Sequence, residues 1–316
     1  MQSYRPLSAN VLDSIGGTPL VQLRKVVPSG AARVVVKLEG ANPTGNMKDR
    51  MAKTAIEAAE RDGRLKPGGT VVEYTGGSTG ASLALVCAAK GYRAKIVTSD
   101  AFSEEKTRTT RAFGAEIVLI PSEGGKINEQ LIKKMIEAAR EISVLPGHWW
   151  FDQINNQDAT LGYYPMGEEI WQQTGGNVDA FVRSVGSAHS LNGVAKALRG
   201  HNPNLHVVAA EPAESAVLAG RAKGSHKIEG IGIGFVPAGW RPDDVNEMQS
   251  ATTEEAMQMC RRLAREEGIL AGTSSGLNVI AALRVAERLG SDATVATIII
   301  DSGLRYMSSE LYRLDV

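Results

Sequence analysis

A lysine follows a tight turn in the stretch NPTGNMKDR, Asn42–Arg50, and the residues from it onward, KDRMAKTAIEAAERDG, read as a helix. Lys48 therefore falls in a first helical turn, where unpaired amides place partial positive charge. An ammonium is disfavoured there, so the pKa of its amine is expected to fall. A neutral amine is a nucleophile, and with an aldehyde it condenses to a Schiff base. The plainer alternative is a lysine that snorkels to solvent and pairs with Glu39 or Asp49. Residue chemistry at this one position leaves both readings open.

Four further stretches sit where a strand pattern gives way to a helix or a turn, the place where open α/β sheets bind ligands. YTGGSTGAS, Tyr74–Ser82, has glycines that admit close backbone approach and a helix start that favours an anion. VGSAHSLNG, Val185–Gly193, offers the hydroxyls of Ser187 and Ser190 in a setting that suits a phosphate. IIIDSGLRY, Ile298–Tyr306, ends an apolar strand in Asp301, Ser302 and Gly303, and AGTSSGLN, Ala271–Asn278, reads as a cap leading into a helix. Each alone also fits ordinary turn and cap chemistry. A nucleophilic amine together with a phosphate cradle is what pyridoxal 5′-phosphate requires. The rival nucleotide signatures are missing: no G-x-G-x-x-G follows a strand and no G-x-x-x-x-G-K-[ST] occurs. GIGIGF, Gly230–Phe235, is glycine-rich but has no clear strand before it.

These junctions must be positioned by an α/β scaffold. From about Arg33 onward, β-branched runs (RVVVKLE, TVVEYT, AKIVTS, EIVLIP, DAFVRSV, NLHVVAAE, TVATIIID) alternate with helical patterns, which argues for parallel sheets covered on both faces. The chain of 316 residues is long enough for two such units, with a soft boundary near SVLPGHWWF. Lys+Arg and Asp+Glu both number 35, so no electrostatic footprint for nucleic acid or an anionic membrane arises. The N-terminal residues lack the apolar core of a signal peptide, and no run approaches a membrane span. Cys87 and Cys260 lie in apolar helical patterns and read as buried free thiols, which suits a reducing cytoplasm. The five histidines and two cysteines show no metal-ligand spacing, so no metal is expected.

The stretches IGGTPLVQL, NPTGNMKDR, GIGIGFVP, EEGILAGTSSG and DSGLRY, in this order from about residue 10 to 308, closely resemble the cysteine synthase and cystathionine β-synthase family of fold-type II pyridoxal-phosphate enzymes. The resemblance implies an α/β fold of two three-layer αβα domains with mostly parallel sheets, like the tryptophan synthase β-subunit, with the cofactor in the interdomain cleft. It implies a smaller, mobile domain of residues 41–146 carrying the substrate-carboxylate loop. Residues 1–40 plus 147–316 then form a larger domain with the phosphate loop and the pyridine-nitrogen serine. Lys48 matches the Schiff-base lysine of the family, and Ser302 matches the serine that meets the pyridine nitrogen. A neutral hydroxyl there does not hold the nitrogen protonated as a carboxylate would. The site then favours expelling a β-leaving group over racemisation or transamination. Asp301, next door, is the competing carboxylate.

Two loops depart from the family pattern. Where the family has TSGNTG for the substrate carboxylate, this chain has Thr75, Gly76, Gly77, Ser78, Thr79 and Gly80. The serine has become Gly76, and the asparagine that meets the cofactor's phenolic oxygen has become Ser78. Where the family has GTGGT for the phosphate, the chain reads Gly186, Ser187, Ala188, His189 and Ser190. Ala188 and His189 replace two glycines, which is expected to restrict φ and add bulk. His189 is expected either to donate to the phosphate or close over the cofactor, or else to point into a neighbouring helix. Gln153, in FDQINN, is implied as a substrate-carboxylate contact, and Arg221 lies in a loop that nears the substrate in relatives.

The activity implied is β-replacement on an activated serine, in its simplest form cysteine synthesis from O-acetyl-L-serine and sulfide through an aminoacrylate intermediate. Substrate binding at Thr75–Thr79 is expected to close the smaller domain and exclude water. Altered loops leave room for another leaving group or nucleophile, such as O-phosphoserine, homocysteine or an amine. A protein that binds the cofactor or a partner without turnover is the alternative of another class, and the retention of Lys48, Ser302 and the anion loops speaks against it. Relatives are homodimers, and some bind the C-terminal tail of serine acetyltransferase. The altered substrate loop disfavours that second association here.

Overall fold

The computed structural model describes residues 7–102, 104–125 and 128–313. Strands β1 (Leu20–Gln22) and β2 (Arg33–Leu38) come before helix α1 (Lys48–Asp62). Alternation follows through β3 (Thr70–Tyr74), α2 (Ser78–Lys90), β4 (Arg93–Ser99), α3 (Glu104–Ala112), β5 (Glu116–Ile120), α4 (Glu129–Ser143) and β6 (His148–Trp150). Short helix α5 (Asp158–Leu161) and α6 (Tyr164–Gln173) lead to β7 (Ala180–Ser184), α7 (His189–His201) and β8 (His206–Pro212). The chain ends through β9 (Glu247–Ala251), α8 (Thr253–Arg262), α9 (Thr273–Leu289) and β10 (Thr294–Ile299).

The chain divides into two compact units. The first comprises the segment through Gly17, Asn42–Thr44 and Lys48–Phe151, and the second Thr18–Ala41, Gly45–Met47 and the chain from Asp152 onward. These limits differ from the expected 41–146 and 1–40 plus 147–316, for local reasons. Lys53 Nζ donates to the Leu12 carbonyl at 3.1 Å and Asn42 Oδ1 accepts from Gly16 N–H at 2.9 Å, so the N-terminal segment packs with α1. Strand β6 pairs with β3, and Phe151 N–H donates to Val72 O, which carries the first unit through residue 151.

In the first unit the described strands run β5-β4-β3-β6, all parallel. Adjacent residues Val71 and Val72 of β3 are both buried, as a parallel sheet covered on two faces demands. Helix α4 starts where Asn128 Oδ1 accepts from Leu131 N–H at 2.8 Å, and it lays Leu131, Met135 and Ala139, spaced by four, onto Val72 and Val97. Helix α1 buries Met51, Ala52, Ala55, Ile56 and Ala59 along one stripe.

In the second unit the order is β1-β2-β10-β7-β8-β9, parallel except for β1 against β2. Val34, Val36, Val182, Val208 and Val295 form one core with α9 residues Leu277, Val279, Ala282 and Val285. Pairing between β10 and β7 covers only Val295↔Ala180 and Ala296↔Phe181. Toward their carboxyl ends, side chains take over the bridging. Thr297 Oγ1 donates to Val182 O at 2.8 Å, while buried Asn278 accepts from Ser184 N–H and donates to Ile298 O, both at 2.7 Å.

Both cysteines are buried and unpaired. Burial pushes the thiols of Cys87 and Cys260 up to about 12. Each thus stays protonated at neutral and mildly alkaline pH. The native protein should leave both unmodified by a disulfide reagent at pH 8, with both titrating on denaturation. Rapid labelling of the folded chain would contradict their burial.

Candidate active site

Lys48 is the first residue of α1, as its sequence context predicts, and it is half-buried. The carboxylate of the next residue organises that helix start. Asp49, fully buried, accepts from Thr44 N–H at 2.9 Å, from the Thr44 hydroxyl at 2.5 Å and from the Ser82 hydroxyl at 2.6 Å. Ser82 lies in α2, so Asp49 ties the N-terminal ends of α1 and α2 together. Lys48 and the Thr75–Thr79 loop thus stand at neighbouring helix starts in the first unit. The acid also opposes the positive end of the α1 dipole.

The Thr75–Thr79 loop leaves β3 and enters α2 at Ser78. Thr75 N–H donates to Val97 O, and Thr75 Oγ1 accepts from Gly77 N–H at 3.0 Å, which closes a tight turn. Gly77 caps α2 without a side-chain hydrogen bond, so the helix presents its positive end to an anion such as a carboxylate. The glycine at position 76 has a steric cause. A Cβ placed there would stand 2.1 Å from Phe102 Cδ1. The aromatic ring fills the space that the family's serine would use.

In the second unit three segments converge. Ser302 N–H donates to Gly45 O at 2.9 Å, Met47 N–H donates to Ile300 O at 3.0 Å, and Asn46 bridges Asp301. The residues directly before Lys48 are thereby fastened beside Ser302. Asp301 and Ser302 are consecutive in extended backbone, so their side chains point to opposite sides. Asp301 turns to Tyr306, whose hydroxyl donates to Oδ2 at 2.6 Å, and a Cβ at Gly272 would meet its Oδ1. Burial and that carboxylate hold the Tyr306 phenol well above its ordinary range. Ser302 turns instead toward Gly45. Its Oγ accepts from Leu304 N–H at 3.3 Å, which leaves the hydroxyl proton to donate to an uncharged acceptor such as a ring nitrogen.

The third segment is the loop from β7 into α7. Its cap, Ala188, adopts φ 69° and makes no side-chain hydrogen bond. The alanine thus takes the left-handed conformation a glycine would take, at a strain of roughly 1–2 kcal/mol, and the expected restriction of φ is not imposed. Gly186 permits close approach, since a Cβ there would lie 2.7 Å from Gly230 O. Among the described residues, the amides of Ser187, Ala188 and Ser190 meet no protein acceptor. An uncapped helix start with amides directed outward fits a phosphate ester.

His189 requires a correction. Its Nε2 lies 2.8 Å from Gln153 O, and a carbonyl only accepts, so Nε2 donates. Nδ1 lies within hydrogen-bond distance of the Thr160 hydroxyl, at 2.7 Å. The ring anchors α7 to the backbone at Gln153 and to α5, and it is neither a phosphate donor nor a cover for the cofactor. Gln153 contributes its carbonyl to this anchor, and its side chain is half-buried rather than fully solvated. Arg221 is exposed. The hydroxyls of the fourth junction are used internally: Ser275 Oγ accepts from Ile300 N–H at 2.9 Å and Thr273 Oγ1 from Glu229 N–H at 3.1 Å.

Sequence reasoning overlooked two residues. One is Phe102, whose ring explains Gly76. The other is Arg183, buried in β7, with Nε 3.0 Å from Ser190 Oγ; burial pushes its guanidinium down to about 10. The available signal was a lone charge inside the apolar run DAFVRSV.

The model of a family described as pyridoxal-phosphate dependent enzyme matches residues 11–301. A cysteine synthase from Staphylococcus aureus (strain Mu50) is 42% identical over 308 residues, 97% of each chain. The crystal structure of a cysteine synthase from Entamoeba histolytica superposes with a TM-score of 0.92 at 36% identity, covering 100% of this chain and 94% of that one. An O-ureido-L-serine synthase structure superposes with a TM-score of 0.89, also at 36% identity, over 98% and 97% of the two chains.

Gly76→Ser should lower stability by about 1–3 kcal/mol through overpacking against Phe102. Adding Phe102→Ala should remove most of that increment, as read from a double-mutant cycle of thermal melts. Additive effects of the two changes would show that the ring does not dictate the glycine.

Proposed function

Since the chain belongs to the pyridoxal-phosphate dependent enzyme family, we propose that it performs β-replacement on an activated serine, with cysteine synthesis from O-acetyl-L-serine and sulfide as the leading reaction. The observation that carries this is the placement of Ser302, a hydroxyl with its proton free to donate, beside the residues that lead into Lys48. Bound pyridoxal phosphate supplies an electron sink at the substrate's α-carbon, which activates a leaving group on the β-carbon. Lys48 holds the cofactor through its amine. Displaced by the substrate, that amine takes the α-proton. Ser302 donates to the ring nitrogen without protonating it, which directs the reaction toward loss of the β-substituent. The uncapped start of α2, with Thr75, Gly76, Gly77, Ser78 and Thr79, binds the substrate carboxylate. The amides of Gly186, Ser187, Ala188, His189 and Ser190 seat the phosphate.

A second reading keeps this chemistry and changes the leaving group or nucleophile. It is favoured by Phe102, whose ring replaces a hydroxyl with an apolar surface at the carboxylate loop. The likeness to an O-ureido-L-serine synthase is in keeping with such variation. The proposal includes a homodimer, as the family resemblance implies, and a cytoplasmic setting, which the two buried thiols support. Among the described residues no helix is long and apolar enough to cross a membrane. Association with a serine acetyltransferase tail is not part of it, because Gly76 and Ser78 depart from the family's loop.

The purified protein should release acetate from O-acetyl-L-serine, and with sulfide present it should yield cysteine. Lys48→Ala should reduce both to background. Acetate release without cysteine would retain the elimination and reject sulfide as the nucleophile. No acetate release would reject O-acetyl-L-serine, and normal turnover by Lys48→Ala would overturn the assignment.

A further inference from the structure

Arg183 stands in a strand buried at every position, and it is itself 3% exposed. Its Nε donates to Ser190 Oγ at 3.0 Å, Nη1 to the carbonyl and hydroxyl of Ser184, and Nη2 to the Met47 thioether at 3.6 Å. Among the described residues no carboxylate forms an ion pair with it. Lys37, also fully buried, shows the usual solution, with Glu169 at 2.7 Å. The charged and titratable groups that act on Arg183 are Tyr163, ahead of α6, and Asp301, after β10. Asp301 is turned to the Tyr306 hydroxyl. A cation this deep without an anion in contact is strongly destabilising unless something else supplies negative charge. A thioether is a weak acceptor and supplies little.

The missing charge has an evident seat. Ser190 belongs to the first turn of α7, whose start is uncapped and whose amides at Ser187, Ala188 and Ser190 have no protein acceptor among the described residues. Because the Ser190 oxygen accepts from Arg183, its proton is left to donate. The guanidinium thus turns that hydroxyl into an outward donor and adds a full positive charge beneath a helix N-terminus.

We infer that Arg183 is the buried counter-charge of the phosphate ester seated at the start of α7, a positioning residue that acts through Ser190 Oγ. It reinforces a seat in which alanine and histidine stand where the family has glycines. This rests on the cofactor reading above, and the experiment keeps the two separable.

Apoprotein of the wild type, Arg183→Leu and Arg183→Lys would be titrated with pyridoxal phosphate and with pyridoxal, which lacks the phosphate. Apo and loaded forms would also be melted. Arg183→Leu should weaken pyridoxal phosphate binding roughly ten- to hundredfold, the scale of a lost hydrogen bond to a charged group, and leave pyridoxal unchanged. Its apo form should melt no lower than the wild type, since an unpaired buried charge has gone. The gain in melting temperature on loading should shrink. Arg183→Lys should recover part of the affinity, keeping the charge and losing the bond to Ser190. If the leucine variant does not fold, Arg183→Met takes its place. Equal weakening toward both ligands, or a lower apo melt with unchanged pyridoxal phosphate affinity, would make Arg183 a scaffold residue and overturn the assignment. A wild-type apoprotein that binds neither ligand would overturn the cofactor reading, and Arg183 with it. Normal pyridoxal phosphate binding without turnover would overturn the reaction alone.

Discussion

Two backbone hydrogen bonds hold the short segment Gly45–Met47 against the end of β10. Met47 N–H reaches Ile300 O at 3.0 Å and Ser302 N–H reaches Gly45 O at 2.9 Å. Backbone pairing fixes position more tightly than side-chain contacts, because two soft dihedrals per residue are all that move. Lys48 is the next residue in the chain after Met47. Glycine at position 40 is part of the same constraint, since a Cβ there would stand 3.0 Å from Ser302 N.

That arrangement requires an opening at the carboxyl end of the sheet. Strands β7 and β10 pair for two residues and then part, which leaves Ser184 N–H and Ile298 O without ladder partners. Asn278 satisfies both with one side chain. An aliphatic residue there would strand two buried polar groups, each a loss of about 1–3 kcal/mol. The parting makes room for the loop after β7 and for Ser302 after β10, in keeping with ligand binding beyond strand ends in open α/β sheets. The cost of polar groups in the core is thus tied to the site.

The alternation of strands and helices was legible because hydrophobic period and turn residues agree along the chain, and Lys48 falls at a helix start where its sequence context places it. Sequence separates Ser302 from Asp301 only by family register, while the structure gives them different partners, Tyr306 for Asp301 and Leu304 N–H for Ser302. Other features lie beyond local sequence. Ala188 takes a φ of 69° that its residue type does not announce, since alanine seldom adopts the left-handed region. The anchoring of His189 depends on Thr160 and on the backbone at Gln153, 29 and 36 residues away in the chain. The reason for Gly76 lies in Phe102, across the sheet's loops. The placement of residues through Gly17 with α1 depends on hydrogen bonds to Lys53 and Asn42, which no periodicity encodes.

The proposed chemistry depends most on Lys48 carrying the cofactor. The direct measurement is to reduce the purified, pyridoxal phosphate-loaded protein with borohydride, digest it and locate the pyridoxyl group by mass spectrometry. A single modified peptide is expected, with the group on Lys48. A group found on another lysine, such as Lys53 one turn further along α1, or no covalent group at all, would contradict it.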